Sequence, residues 1–364
     1  MKLLVDAHVF DEGFQGSRTY IKGLYIEMVR LKPDWHFFLA AHNLENLRQE
    51  FGTAPNITFL KLQHQNKYLR LLYELPRLLK KHRFDYAHFQ YITPISRHTK
   101  YIVTTHDILF EEKRFASYFP LKYRLMNGFL FKRSAKRAEI LLTVSNYSKA
   151  QLAKYYHIPE NNITVTPNGV TVSEIGEDKD YIKNRYGCEK YLLYVSRIEP
   201  RKNHLAVLKA YCNLKLYEKG YQIAFVGFRD IPYKALDSYV SSHQDVLKHN
   251  VHFFSDVPEK DLQYFYKNAS FFVYPSLAEG FGIPPLEAAL YKTPVICSSA
   301  TAMKDFSFFE HLFDPTNQVA LEAAIENLID DNPGPLEKIS EVVKDTYQWE
   351  RSAKIVIDAL QKNS

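Results

Sequence analysis

Short apolar runs alternate with amphipathic helical stretches along nearly the whole chain, and this alternation restricts the fold more than any other feature of the sequence. Residues 3–5, 37–41, 58–62, 86–89, 101–105 and 140–144 read as strands. Residues 17–30, 67–81 and 149–156 read as helices, the first with Tyr20, Leu24 and Met28 on one face. A second series follows Asn168-Gly169-Val170, with strands at 191–195, 222–226, 251–254, 270–274 and 294–297. Its helices are expected at 203–214, 284–290, 320–330 and 349–361. Strands that are apolar on both faces and separated by helices belong in parallel sheets covered on both sides. The polar, turn-like stretch 172–180 reads as a linker. The expected organisation is an N-terminal domain of residues 1–171, a C-terminal domain of residues 172–348, and a final helix, 349–364, packed back on the first. Doubly wound sheets bind ligands at the carboxyl ends of their strands, so a cleft between two such lobes would suit a two-substrate reaction.

Composition narrows the function classes. The 364 residues suit two domains. With 46% hydrophobic and 24% charged residues the chain has the balance of an ordinary folded protein, which argues against a disordered chain or a repeat array. The net charge of +6 fits an anionic substrate or an anionic membrane surface. No run resembles a basic arm or a base-reading helix, so nucleic acid is not an expected partner. Three scattered cysteines, Cys188, Cys212 and Cys297, indicate neither a zinc site nor a disulfide framework. The opening Met1-Lys2-Leu3-Leu4-Val5-Asp6 reads as a strand rather than a signal peptide. No apolar stretch approaches the roughly 18–20 residues of a membrane span. A cytoplasmic protein is expected, peripheral at the inner face of the cell membrane if it binds lipid.

The most informative stretch is Glu279-Gly280-Phe281-Gly282-Ile283-Pro284-Pro285-Leu286-Glu287. An apolar strand runs into it, glycines let backbone approach a ligand, and a helix starts where proline is tolerated. Free amides at that helix start can receive an anion, and each carboxylate can accept hydrogen bonds from a sugar diol. The plain alternative is an acidic helix start, which the dipole favours anyway. A second cluster follows the strand at 191–195: Ser196-Arg197-Ile198-Glu199-Pro200-Arg201-Lys202-Asn203. Arg197 lies just past the strand end, and Lys202 opens the next helix, where the dipole opposes a cation. A bound diphosphate would resolve that conflict. His106, after a strand and before Asp107, is either an active-site residue or a hydrogen-bonded turn residue. The segments 67–83 and 120–137 are basic, aromatic and leucine-rich, and could lie on anionic lipid or pack a core with a solvated cationic face.

Arg197 with Lys202 and the two-glutamate motif resemble the family 4 retaining glycosyltransferases of GT-B fold. Gly13-Phe14-Gln15-Gly16, Thr105-His106-Asp107, Val144-Ser145-Asn146-Tyr147-Ser148 and Pro167-Asn168-Gly169-Val170 match family landmarks in order. The resemblance implies an α/β chain of two Rossmann-like, doubly wound parallel-sheet domains facing across a cleft, the first on the acceptor side and the second binding the donor. It implies a hexosyltransferase that retains anomeric configuration and needs neither metal nor cofactor. Arg197 and Lys202 would hold the donor diphosphate and Glu287 the ribose. Glu279 would sit beside the reacting carbon, with amides of Phe281, Gly282 and Ile283 holding sugar and phosphate. His106 would approach the sugar's primary hydroxyl. Gly16 and Val257, which follows the turn Ser255-Asp256, join the donor-binding set, while Arg18 and Tyr20 lie where acceptor contacts could arise. The run Glu199 to Asn203 looks like that of mannosyltransferases using GDP-mannose; UDP-sugars remain open. The acceptor would be a glycan or lipid-linked, in surface polysaccharide or glycoconjugate synthesis.

Two rivals come from other classes. A non-catalytic nucleotide- or glycan-binding scaffold of the same fold would be favoured by loss of Glu279 or His106, and both are present. A dinucleotide-dependent oxidoreductase requires Gly-x-Gly-x-x-Gly after the first strand, which residues 11–19 do not supply.

Overall fold

The computed structural model describes residues 1–11, 16–229, 231–330 and 333–363. Parallel strands buried on both faces account for the apolar runs. The first sheet contains β1 (Lys2–Asp6), β2 (His36–Ala41), β3 (Ile57–Lys61), β4 (Tyr86–Gln90), β5 (Lys100–Thr104), β6 (Ile140–Thr143) and β7 (Ile163–Val165). They lie in the order β3-β2-β1-β4-β5-β6-β7, all pairs parallel. Every residue of β4, near the middle, is buried. The second sheet contains β8 (Tyr191–Val195), β9 (Gln222–Val226), β10 (Val251–Phe254), β11 (Phe271–Tyr274), β12 (Val295–Ser298) and β13 (His311–Phe313). Their order is β10-β9-β8-β11-β12-β13, again parallel throughout. In each sheet the direction of strand addition reverses once, between β1 and β4 and between β8 and β11. Those reversal points are where doubly wound sheets open a crevice for ligand.

The chain divides into two compact units. One comprises Met1–Gly169 with the segment from Tyr347 onward, the other Val170–Thr346. The helix Trp349–Lys362 belongs to the first unit and packs on the helix Gly16–Leu31. Its buried face is Ser352, Ala353, Val356, Ile357 and Leu360. Ser352 Oγ donates to the carbonyl of Pro167 at 2.6 Å, and Arg30 pairs with Glu350 at 2.6 Å. The start of this helix is keyed by two glycines. A Cβ at Gly23 would lie 2.1 Å from the Trp349 indole, and one at Gly169 would lie 2.4 Å from the Trp349 backbone nitrogen.

Several elements differ from a simple reading of the sequence, which does not place the helices Leu44–Phe51, Lys234–Ser242, Glu259–Asn268 and Leu336–Thr346. The strands β7 and β13 have three residues each, too few to show a period, and lie at sheet edges. The expected helix at 67–81 is a turn of α-helix, Lys67–Leu69, then a π-helical stretch, Arg70–Glu74, then Leu75–His82. Pro76 has no N–H to give to the turn before it, which accounts for the widening there. Among the described residues no helix is long and apolar enough to cross a membrane.

Gly169→Ala is expected to destabilise the first unit by about 1–3 kcal/mol, the usual cost of overpacking. Gly16→Ala, where among the described residues no atom beyond the chain neighbours lies within 4 Å of the added methyl, should stay within about 0.5 kcal/mol. Thermal unfolding of the two variants beside the parent checks this; equal midpoints for all three would contradict the wedge.

Candidate active site

In the second unit the site is built on the adjacent ends of β8 and β11. The turn after β8 is held by a close approach of β9. Gly227 has φ +148°, and a Cβ there would lie 2.0 Å from the carbonyl oxygen of Ser196. The Ile198 amide donates to the carbonyl of Phe228 at 2.7 Å. Arg197 in this turn is half exposed and lies 3.7 Å from Glu199. Pro200–Lys202 forms a short 3-10 turn, and the helix His204–Asn213 begins after Asn203. Lys202 therefore precedes the helix, and its side chain is buried in an ion pair with Glu279. The opposition between this cation and the helix dipole is relieved by a carboxylate of the chain itself, a compensation the sequence alone did not suggest. Tyr194 Oη donates to the carbonyl of Lys202 at 2.6 Å and fixes the turn from below.

Glu279 lies in the loop after β11 and is only 9% exposed. Its Oε1 accepts from Lys202 and from the Tyr274 hydroxyl, the latter at 2.9 Å. Arg201 Nη1 lies 3.5 Å from Oε2, and its guanidinium also pairs with Glu199 and donates to the Ala278 carbonyl. The Glu279 amide donates to Thr301 Oγ1 at 2.8 Å. Burial alone would raise the pKa of this carboxyl, but Lys202 and Arg201 outweigh it and hold the value at about 2. Burial pushes the Lys202 ammonium below its usual value, against the pull of Glu279.

Gly282 has φ +103°, and a Cβ there would press on Met303 and Phe306 at 3.3 Å. This glycine starts the helix Ile283–Leu290, whose first turn carries Pro284 and Pro285 and no side-chain cap. Phe281 is buried edge-to-face against Phe306, with centroids 6.0 Å apart. Glu287, half buried on that helix, accepts from the Tyr266 hydroxyl at 2.7 Å, and burial raises its pKa. Val257 is half buried just past β10, where Asp256 takes the left-handed conformation (φ +55°).

In the first unit His106 follows β5 and is 8% exposed. Its Nε2 lies 2.6 Å from Gln90 Oε1, so the proton sits on Nε2 and Nδ1 is the acceptor nitrogen. Tyr20 stands edge-on to the ring at 5.0 Å and Tyr91 tilts over it at 5.4 Å. Burial lowers the pKa of His106 to about 4. Beneath it, His88 shares hydrogen bonds with Tyr25 Oη at 2.6 Å and Thr104 Oγ1 at 2.8 Å, and burial brings its pKa to about 3. Tyr20, expected to touch an acceptor, is fully buried, its hydroxyl 2.7 Å from Thr166 Oγ1. It holds the His106 ring and has no surface to offer a substrate. Arg18 pairs with Glu50 at 2.7 Å and lies over the Phe10 ring. Gly16 is exposed at the start of its helix, while Gly13 lies outside the described residues. At the end of β1, Asp6 is buried; its carboxyl, which burial would raise, is held at about 2 by Arg70 and His8.

The sequence reading missed Gln90, Arg201, Tyr274, Tyr266 and Gly227. Of these Gly227 carried a local signal, a glycine directly after an apolar strand. Among the described residues no group of three or more His, Cys, Asp or Glu side chains is placed to hold a metal ion.

Comparison with known proteins fits this geometry. Residues 14–174 match the domain family Glycosyltransferase Family 4, and residues 177–349 match Glycosyl transferases group 1. The chain belongs to the glycosyltransferases of GT-B fold that join these two domains. It is 31% identical over 229 residues to the O-antigen chain mannosyltransferase RfbU of Salmonella typhimurium, a match covering 62% of this chain and 60% of that protein. It is 30% identical to the O-antigen chain mannosyltransferase B of Escherichia coli, over 55% of this chain and 54% of that one. The matched region thus spans less than two thirds of these relatives. Among solved structures, sucrose-phosphate synthase from Thermosynechococcus elongatus superposes with a TM-score of 0.78 at 18% identity, covering 99% of this chain and 98% of that one. Anabaena HepE in complex with UDP-glucose gives 0.72 at 16% identity, with 99% of each chain covered.

The buried histidines set a pH dependence. Their folded pKa values lie below the usual 6.5, so under about pH 6.5 the unfolded chain binds protons that the folded lobe excludes. Stability is complete above that pH and declines as pH falls toward 4. The shift at His106 alone corresponds to about 3 kcal/mol. Urea unfolding from pH 7 to pH 4 should show a shallower decline in His106→Asn than in the parent; identical slopes would contradict the assignment.

Proposed function

We propose that the protein transfers a hexose, mannose first among candidates, from a nucleotide-diphosphate sugar to a glycan or lipid-linked acceptor. The reaction retains anomeric configuration and uses no metal, and it serves surface polysaccharide or glycoconjugate synthesis at the cytoplasmic face of a membrane. One observation carries the reading: the cluster of Glu279, Lys202 and Arg201 at the reversal point of the second sheet, in the same loop as the uncapped helix start at Gly282. The names of the curated relatives support mannose, and so GDP-mannose as donor; the UDP-glucose complex of a structural neighbour keeps a UDP-sugar open.

Arg197, Arg201 and Lys202 bring three cations to the site against two carboxylates, Glu199 and Glu279. This net positive charge, with the helix N-terminus, suits a diphosphate and supplies the field that a divalent ion would otherwise supply. Arg197 is the exposed cation and meets the phosphates first. Amides at Phe281, Gly282 and Ile283 are assigned to the sugar and phosphate, Glu287 to the ribose, and Val257 to the base side. When the diphosphate leaves, positive charge develops on the anomeric carbon, and an ionised Glu279 stabilises it. The oxygens of Glu279 are already engaged by Lys202, Tyr274 and Arg201, which supports an electrostatic role over covalent attack. A diphosphate oxygen would then take the acceptor proton as the acceptor attacks from the same face. His106, neutral above about pH 4, is assigned a hydrogen bond to a sugar hydroxyl, and the first lobe, with Gly16 and Arg18, the acceptor.

Glu279→Gln and Glu287→Gln should fail differently. Glu279→Gln should cut turnover by roughly one to three orders of magnitude with little change in nucleotide affinity. Glu287→Gln should raise KM with a modest change in kcat, because the ribose does not react. Steady-state kinetics with the best donor reads both; turnover lost in Glu287→Gln and only affinity lost in Glu279→Gln would reverse the two assignments.

A further inference from the structure

Exposed apolar side chains are not scattered over the molecule. Among the described residues, nine of the fifteen large hydrophobics that stand exposed lie on two segments of the first unit, the irregular helix at 67–82 and the helix Leu121–Arg137. On the second of these, Leu121, Leu125 and Phe129 recur every fourth residue and are 64%, 68% and 69% exposed. The opposite face of that helix, Asn127, Phe131, Ser134 and Ala135, is buried, so the apolar outer row is not needed to hold it in place. On the first segment Tyr68, Leu72 and Tyr73 are about half exposed. The two segments meet, with the Tyr68 hydroxyl 3.7 Å from Met126 Sδ. They therefore present one continuous patch, and such grouping of exposed apolar side chains marks an interaction surface.

The charge around the patch has one sign. Leu121–Arg137 carries Lys122, Arg124, Lys132, Arg133, Lys136 and Arg137 and no acidic residue. The other segment exposes Arg77, Lys80 and Lys81, and its single acid, Glu74, is turned to the amides of Gln63 and His64. A second copy of the chain would set two cationic faces against each other, which like-charge repulsion opposes. An anionic bilayer satisfies both features, taking the aromatic and leucine side chains into its interface and the lysines and arginines among its headgroups.

We infer that this patch docks the first lobe on an anionic phospholipid membrane, with Leu121, Leu125, Phe129, Tyr68, Leu72 and Tyr73 entering the interface. The inference deepens the lipid-linked acceptor reading. It is tested without donor or acceptor, so loss of lipid binding and loss of sugar transfer are told apart. The experiment is co-sedimentation with vesicles of mixed phosphatidylglycerol and phosphatidylcholine, beside vesicles of phosphatidylcholine alone. The parent should bind the anionic vesicles at least tenfold more tightly. The double variant Leu125→Asp/Phe129→Asp should lose at least tenfold on them, with an unchanged melting temperature because both positions are exposed. Lys122→Gln/Lys136→Gln, which keeps the apolar row, should reduce the preference for anionic vesicles severalfold. Equal binding of the parent to both vesicle types would overturn the inference. So would unchanged binding in the Asp variant, or a parent dimer that the same substitutions convert to monomer.

Discussion

The buried pair of Lys202 and Glu279 is the interaction on which the second lobe's site depends. The two residues are 77 positions apart and meet because β8 and β11 are parallel neighbours, Leu192 opposite Phe271 and Leu193 opposite Phe272. Removing two charges from water costs several kcal/mol per ion, so such a pair adds little net stability. It persists because every surrounding group is arranged for it: Tyr274 and Arg201 reach the same carboxylate, Thr301 receives its amide, and Tyr194 anchors the lysine turn. A carboxylate that stays ionised while almost fully buried suits the role proposed for Glu279, the stabilisation of a positive charge that forms only during reaction. Cutting Lys202 away would leave that carboxylate with Arg201, at 3.5 Å, as its remaining ionic partner, so the lysine is structural and electrostatic at once.

The first lobe uses the same architecture with different chemistry. Its reversal point lies between β1 and β4, and the groups gathered at the strand ends are a histidine held by a glutamine and a buried aspartate held by an arginine. His106 is kept neutral by burial, whereas Glu279 is kept charged by its partners. Glycines act where the chain is approached closely: Gly227 by the Ser196 backbone, Gly169 by the Trp349 backbone, Gly23 by the Trp349 indole and Gly282 by the Met303 side chain. At the first three a methyl group would clash outright, and at Gly282 it would press on its neighbours and strain a positive φ.

Much of this was legible in the sequence, for identifiable reasons. Strands at 191–195, 222–226 and 251–254 could be read to the residue, because the first two are largely buried and the edge strand 251–254 is still an apolar, aromatic run, each bounded by polar turns. The strand–glycine–helix order around Glu279 and Glu287 was equally plain. What stayed hidden were contacts between residues distant in the chain. Lys202 and Glu279 were each singled out, but their bond was not, since nothing local announces a partner 77 positions away. Gln90 looked like an ordinary polar residue, and Arg201, though it stands in the basic run after β8, was given no role of its own. Tyr20 was misread although its helix face is apolar, because the loop before it drew attention to surface chemistry; its hydroxyl instead bonds to Thr166, which follows the short edge strand β7.

The central claim is that the second lobe holds a nucleoside diphosphate by charge and backbone, without a metal ion. Calorimetric titration of the protein with GDP and with UDP, in buffer containing a chelator, tests it most directly. The account predicts measurable binding of one of the two and a loss of roughly tenfold to a hundredfold in Arg197→Ala, the worth of one charge-assisted phosphate contact. Binding of neither nucleotide until a divalent ion is restored, or equal affinity in the parent and Arg197→Ala, would contradict it.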